Sequence, residues 1–107
     1  MRQGEVWVNN RLAGILTEDD NGYNFSYKED YLELDDASPV SLTLPLQEEV
    51  FHSENLFPFF DGLIPEGWLL DIVHKNWKIN PRDRMGLLLT TCRDCIGNIS
   101  IISICIV

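Results

Sequence analysis

The first part of the chain alternates hydrophobic and polar residues in short runs separated by polar turns. Glu5–Val8 and Leu12–Leu16 flank Asn9–Arg11, a polar sequence suited to a hairpin turn. Glu18–Gly22 follows as a second turn, in which Asn-Gly tolerates a positive φ. The pattern therefore predicts strands joined by tight hairpins.

Two later segments alternate just as strictly. Tyr23–Tyr27 is aromatic at every second position, which places three rings on one face of a strand. Val40–Leu44 has the same period, and Pro45 ends this predicted strand because proline lacks a donor for the ladder. We expect Tyr31 and Leu34 to anchor the acidic, irregular segment between the two strands.

The spacing becomes helical in the second half of the chain. Ser53 or Asn55 can cap a first short helix that runs through Phe60. Pro65 begins a second helix with a hydrophobic stripe. Asn80–Asp83 begins a third, with a cap, a proline and an acid in the expected order.

The β-branched run Ile99–Val107 is typical of a mostly buried strand. Strands, then helices, then a closing strand predict an α+β domain. We expect a small antiparallel β-sheet, barrel-like, with about three short helices. A length of 107 residues leaves room for one hydrophobic core, so we expect a single domain over residues 1–107.

Composition places the chain among ordinary globular proteins, with 45% hydrophobic and 23% charged residues. No apolar run approaches the roughly 18 residues of a membrane helix, and the polar, acidic N-terminus is unlike a secretory signal. Three cysteines, an odd number, fit a reducing compartment better than a disulfide framework. We therefore expect a cytoplasmic protein.

The formal net charge is −9, from eight Lys and Arg against seventeen Asp and Glu. Such a surface repels nucleic acid, because affinity for phosphates depends on Lys and Arg. An acidic domain suits a basic protein partner, whose approach its field would accelerate. The alternative is that the charge only keeps a small domain in solution.

Catalytic signals are weak, so we expect no enzyme, no cofactor and no metal. Cys92 and Cys95 form the one catalytic-looking motif, but they follow a predicted helix, whereas a redox pair sits at a helix N-terminus. A zinc site would need two more ligands. A redox or metal protein stays open as an alternative to structural thiols.

Trp68 is the strongest candidate for a binding residue. It precedes Leu69, whose stripe faces the core, and one residue along a helix is a rotation of about 100°. We therefore expect its indole to point to the flank or outward, where it would be a latent interface anchor. The alternative is that the indole folds back onto Phe59 or Phe60.

Five motifs in this order resemble the N-terminal subdomain of the HipA family of serine/threonine kinases. They are Asn9-Asn10 with Gly14, the aromatic run Tyr23–Tyr27, Ser41–Leu46, Phe59–Pro65, and Leu87–Leu89 leading to Arg93–Gly97. Cys92 and Asn98 depart from the family, which usually has glycine and alanine there. Both departures lie at the turn into the last strand.

The resemblance implies a function in binding. In the family, this subdomain precedes a kinase core and helps to contact HipB, a helix-turn-helix repressor. A free-standing copy is similar to HipS of the HipBST toxin–antitoxin systems, which neutralises the shortened kinase HipT in trans. The implied partners are a HipT-like kinase and, as a second candidate, a HipB-like helix-turn-helix protein, with no nucleic acid or membrane bound directly.

On this hypothesis Trp68 enters the kinase, and neighbouring residues surround it. The predicted partner-binding residues are Trp68, Ile64, Pro65, Glu66, Gly67 and Asp71. The alternative function is a scaffold or corepressor subunit that joins the kinase to a HipB-like repressor without inhibiting the kinase.

Overall fold

A computed structural model describes residues 2–64, 83–91 and 99–104. In chain order its elements are β1 (Arg2–Val8), β2 (Arg11–Asp19), β3 (Gly22–Tyr27), α1 (Glu29–Leu32), β4 (Phe51–Ser53), α2 (Pro58–Asp61), α3 (Arg84–Thr91) and β5 (Ile99–Ile104).

The five strands form one antiparallel sheet in the order β4-β3-β2-β1-β5. Together with three short helices, this confirms the predicted α+β fold. The expected barrel-like form is corrected, because β4 and β5 lie at opposite ends of the described sheet and the sheet is open. With only three residues, β4 offers too few ladder positions to close a barrel.

The first hairpin forms as its polar turn predicts. Asn9 and Asn10 have φ values of 52° and 66°, the left-handed pair that a two-residue type I′ turn requires. Gly22 has a φ of 125° at the next turn. The register of β1 against β2 shifts by one residue between Val6, which pairs with Gly14, and Trp7, which pairs with Leu12. Both strands of this hairpin are longer than predicted.

The core lies on the inner face of the sheet, where the alternation of β3 places its aromatic rings. Phe25 is fully buried, and its ring centroid lies 4.9 Å from that of Tyr27 and 5.5 Å from that of Phe60 on α2. Gly14 leaves room for this cluster, since a Cβ there would approach the Phe25 ring to 2.9 Å. From α3, Met85, Leu87 and Leu88 complete the core.

The prediction of a strand at Val40–Leu44 is wrong. The segment forms a turn with one isolated bridge between Ser41 and Leu44, and Leu42 is 97% exposed. The expected anchor Tyr31 is buried, as predicted, but Leu34 is 38% exposed. Tyr31 is held by α1, a single helical turn that the sequence analysis did not predict.

Helix starts also differ from the predicted ones. The first predicted helix corresponds to α2, which begins at Pro58 after Phe57 and has no side-chain cap, so neither Ser53 nor Asn55 caps it. Ser53 instead ends β4, a strand that the sequence analysis missed. The helix predicted from Pro65 lies outside the described residues.

The third predicted helix is present as α3, but its predicted start is wrong: Asp83, expected in the first helical turn, lies outside the helix, and α3 begins at Arg84. The Asp83 carboxylate accepts the Gly86 N–H at 3.1 Å and the Asp83 carbonyl accepts the Leu87 N–H at 3.0 Å, as at a helix N-cap. The predicted final strand is confirmed for Ile99–Ile104. No helix among the described residues is both long and apolar enough to cross a membrane.

Candidate partner-binding surface

Of the six predicted partner-binding residues, the structure describes Ile64. Its side chain is 8% exposed and belongs to the hydrophobic core, and its N–H donates to the Asp61 carbonyl at 3.3 Å. Pro65, Glu66, Gly67, Trp68 and Asp71 lie outside the described residues. The binding role of all six stays a prediction, and the structure defines the two flanks of the stretch that carries them.

The N-terminal flank is fixed by α2. Phe60 is fully buried, and its ring centroid lies 5.3 Å from that of Phe59 and 6.1 Å from that of Phe57. The Leu63 N–H donates to the Phe60 carbonyl at 3.1 Å, which continues the turn of the chain beyond Asp61, the last residue of α2. The chain therefore approaches Ile64 from a position held against the aromatic core.

The C-terminal flank is fixed by an arginine from β1. The Arg2 guanidinium donates to both carboxylate oxygens of Asp83 at 2.7 Å and to Glu18 at 2.7 Å. The Tyr23 hydroxyl donates to the second oxygen of Glu18 at 3.1 Å. The start of α3 is thereby tied to three strands.

This network shifts the titration of its members. The hydrogen bonds from Arg2 hold the pKa of Asp83 below its ordinary value, against a smaller opposing effect of burial. The same contacts with Asp83, helped by Glu18, raise the pKa of Arg2. Both groups are therefore charged at neutral pH, and the paired geometry is the charge-assisted, bidentate kind that orients well.

The two flanks also contact each other. The Nε of Arg84 donates to a carboxylate oxygen of Asp61 at 2.5 Å, and both side chains are about two-fifths exposed, at 39% and 42%. An ion pair this exposed adds little stability, but it brings α2 and α3 together. Asp61 and Arg84, which precede and follow the stretch that carries the predicted site, are therefore neighbours in space.

An open cleft of about 530 Å³, with both polar and apolar lining, includes this ion pair in its wall. Its lining includes Tyr23, Glu54, Asp61 and Arg84. The Arg84 guanidinium and the Asp61 carboxylate in its wall are paired with each other. In the ranges 2–64, 83–91 and 99–104, no group of three or more His, Cys, Asp or Glu is placed to hold a metal ion.

The alternative that this is a redox or zinc-binding protein depends on two cysteines. Cys92 and Cys95 lie outside the described residues, so that alternative stays untested. His52, at the edge strand β4, hydrogen-bonds through Nδ1 to Asn24 at 2.8 Å.

One exposed hydrophobic side chain escaped the sequence analysis. Leu42 projects from the turn at residues 41–44, whereas the alternating pattern predicted a strand in which Leu42 shares a face with Val40 and Leu44. The available signal was local chemistry. Ser41 and Thr43 are residues that form turns through their own side chains, and they stand between Pro39 and Pro45.

Residues 4–102 match the sequence profile of the HipA N-terminal domain. The chain belongs to that family. The predicted resemblance is therefore confirmed over nearly the whole length, and the short strands and helices described above are those of a HipA N-terminal domain.

Two curated relatives differ in how much of their length this domain occupies. An uncharacterized protein of Haemophilus influenzae is 36% identical over 101 residues, covering 94% of this chain and 92% of the relative. The putative kinase Y4mE of Sinorhizobium fredii is 30% identical over 98 residues, covering 91% of this chain but 23% of the relative. The HipA N-terminal domain thus occurs in proteins of very different length.

A solved structure, titled the N-terminal domain of HipA toxin, has the same fold. It is 35% identical in sequence and superposes with a TM-score of 0.74, covering 97% of this chain and 93% of the other. The family relationship therefore holds in three dimensions as well as in sequence.

Proposed function

We propose that this HipA N-terminal domain is an antitoxin of the HipS type. It binds a HipT-like serine/threonine kinase toxin in trans in the cytoplasm and neutralises it by blocking its active site or its closure. The domain itself does no chemistry. A HipB-like helix-turn-helix protein is the third component.

The observation that carries this proposal is how much of each relative's length the matched domain occupies. The domain is 23% of a putative kinase in one relative and nearly the whole length of another protein in the second. A domain that shares a chain with a putative kinase in one case can meet a kinase as a separate chain in another. Binding in trans follows naturally from that arrangement.

Separation changes what binding requires. A fused domain meets its kinase at a high effective concentration, and a separate domain does not. It must compensate with a strong anchor and favourable steering. The proposed anchor is Trp68, surrounded by Ile64, Pro65, Glu66, Gly67 and Asp71, and the charge of −9 provides attraction to a basic cleft.

The described flanks support this role. The bidentate pair of Arg2 with Asp83 fixes the start of α3 on the sheet, and the contact of Asp61 with Arg84 places the end of α2 beside it. Fixed flanks lower the entropy that is lost on binding. The proposal therefore needs no large rearrangement of the described core.

The test uses a purified HipT-type kinase from the same genome in an autophosphorylation assay. We expect the unchanged chain to suppress phosphorylation and Trp68→Ala to raise the required concentration by about 30-fold, since an interface hot spot contributes about 2 kcal/mol or more. A thermal melt of both chains checks that the variant is folded.

Two results would contradict the proposal. Kinase activity that is unaffected by excess unchanged chain excludes neutralisation. If the same chain instead tightens operator binding by a HipB-like repressor, the scaffold or corepressor function is correct. Full inhibition by a folded Trp68→Ala variant would keep the antitoxin function but remove Trp68 from its mechanism.

A further inference from the structure

Leu42 is held out into solvent by a turn whose backbone is fixed. The Leu44 N–H donates to the Ser41 carbonyl at 3.1 Å, and the Thr43 N–H donates to the Ser41 hydroxyl at 3.2 Å. The hydroxyls of Ser41 and Thr43 lie 3.1 Å apart and also hydrogen-bond. We call residues 41–44 the Leu42 turn.

The Leu42 turn is anchored to the core at both ends. Val40 and Leu44 are buried, at 7% and 2% exposed. The Tyr27 hydroxyl accepts the Val40 N–H at 3.0 Å and donates to the Leu44 carbonyl. One residue of β3 therefore holds the chain on either side of Leu42, and the exposure of Leu42 does not result from a loose loop.

Hydrophobic exposure continues beyond the turn. Among the described residues, three of the four exposed large hydrophobic side chains are Leu42, Leu46 and Val50, at 97%, 36% and 58%. Glu48 and Glu49, which precede Val50, are exposed as well. Single exposed leucines are common in soluble proteins. A fixed leucine that is 97% exposed, followed along the chain by two more exposed hydrophobic side chains and two carboxylates, has the composition of an interface with an apolar centre and a polar rim.

We infer that the Leu42 turn is a second docking surface for the kinase, on which Leu42 enters an apolar pocket whose rim is basic and faces Glu48 and Glu49. This inference rests on the proposed function, because it takes the kinase as the occupant. The support for that occupant is that 77% of Y4mE lies outside the matched domain (100% less the 23% covered), so a kinase-type chain accompanies this domain in a relative.

The two surfaces have different tasks. The Trp68 region is proposed to block the kinase, whereas the Leu42 turn contributes affinity. Since its backbone is already fixed by Tyr27 and Ser41, little order has to be gained when Leu42 is covered. Loss of Leu42 should therefore weaken binding without changing the inhibition reached at saturation.

The experiment measures the Kd of full-length variants for the purified HipT-type kinase by calorimetry. We expect Leu42→Ala to weaken binding about tenfold, equivalent to 1.4 kcal/mol, and the control Leu34→Ala to stay within about twofold. Leu34 is a suitable control because it is also an exposed leucine, at 38%, in a different loop. Both variants should melt at the temperature of the unchanged chain.

The outcomes separate the inference from the proposed function. If the unchanged chain binds and inhibits but Leu42→Ala binds within about twofold of it, the docking surface is wrong and the antitoxin function stands. If the unchanged chain does not bind the kinase, both are wrong. A Leu42→Ala variant that binds normally but no longer inhibits at saturation also overturns the division of tasks.

Discussion

Tyr23–Tyr27 and Val40–Leu44 have the same alternating pattern but different structures. The first forms β3, which pairs with β2 on one side and β4 on the other. The second forms a turn with one isolated bridge. In β3 the alternation buries Phe25 and Tyr27, whereas in the turn it buries Val40 and Leu44 and leaves Leu42 in solvent.

The difference comes from the competing hydrogen bonds. The backbone of β3 has two neighbouring strands to pair with, and its inward rings fill the core. The second segment stands between Pro39 and Pro45, which supply no N–H, and the Ser41 hydroxyl captures the Thr43 N–H. Alternation therefore indicates a strand only where neighbouring strands are free to pair with the segment.

The largest effect that this comparison predicts is at the centre of β3. Phe25→Ala should lower the free energy of unfolding by about 3–5 kcal/mol, because it empties a fully buried ring site that the Tyr27 and Phe60 rings contact. Denaturant unfolding measures it. Ser26→Ala, on the other face of the same strand, should stay within about 0.5 kcal/mol. Equal losses for the two variants would contradict the assignment of faces.

The next effect separates two leucines of the Leu42 turn. Leu44→Ala should cost about 2–5 kcal/mol because Leu44 is 2% exposed. Leu42→Ala should change stability by less than about 0.5 kcal/mol, because its side chain is 97% exposed. Thermal melts of the pair make the comparison. A destabilising Leu42→Ala would show that Leu42 packs inward in solution.

The smallest effect concerns the hydroxyl that joins the two segments. Tyr27→Phe keeps the ring but leaves the Val40 N–H and the Leu44 carbonyl without this partner, which should cost about 1–3 kcal/mol. Tyr23→Phe is the matched control, because its part-buried hydroxyl hydrogen-bonds to Glu18 and not to the Leu42 turn, so its loss should leave amide exchange at Val40 unchanged. Faster hydrogen exchange of the Val40 amide in Tyr27→Phe, but not in Tyr23→Phe, would show that the loss of stability comes from the bond between the Tyr27 hydroxyl and Val40.

Features that depend on neighbouring residues in the sequence were predictable. The Asn9-Asn10 turn, the three rings of β3 and the strand from Ile99 follow from turn chemistry and period, and all three are confirmed. Together with the order of elements, they were sufficient for the α+β class. The family resemblance depends on the same local motifs and is confirmed as well.

Features that depend on distant partners were not predictable. β4 has three residues and exists through its pairing with β3, and α1 is a single turn. The fixed flanks of the candidate site rest on contacts across long sequence separations, such as Arg2 with Asp83. Trp68 could be selected from its position after Pro65, but no local signal identified the Arg2, Asp61 and Arg84 contacts beside the stretch that carries it.

The position of β1 has a consequence for how the protein is made. It pairs with β2, which follows it directly in the sequence, and with β5, which is separated from it by almost the whole length of the chain. Val8, for example, pairs with Ile99. During translation the hairpin can form early, but one edge of β1 has no β5 to pair with until Ile99–Ile104 has left the ribosome. Such non-local pairing slows folding, and until it forms the edge of β1 has unpaired backbone N–H and C=O groups that can pair with another chain. A newly synthesised chain therefore completes its sheet only after its last described strand has been made.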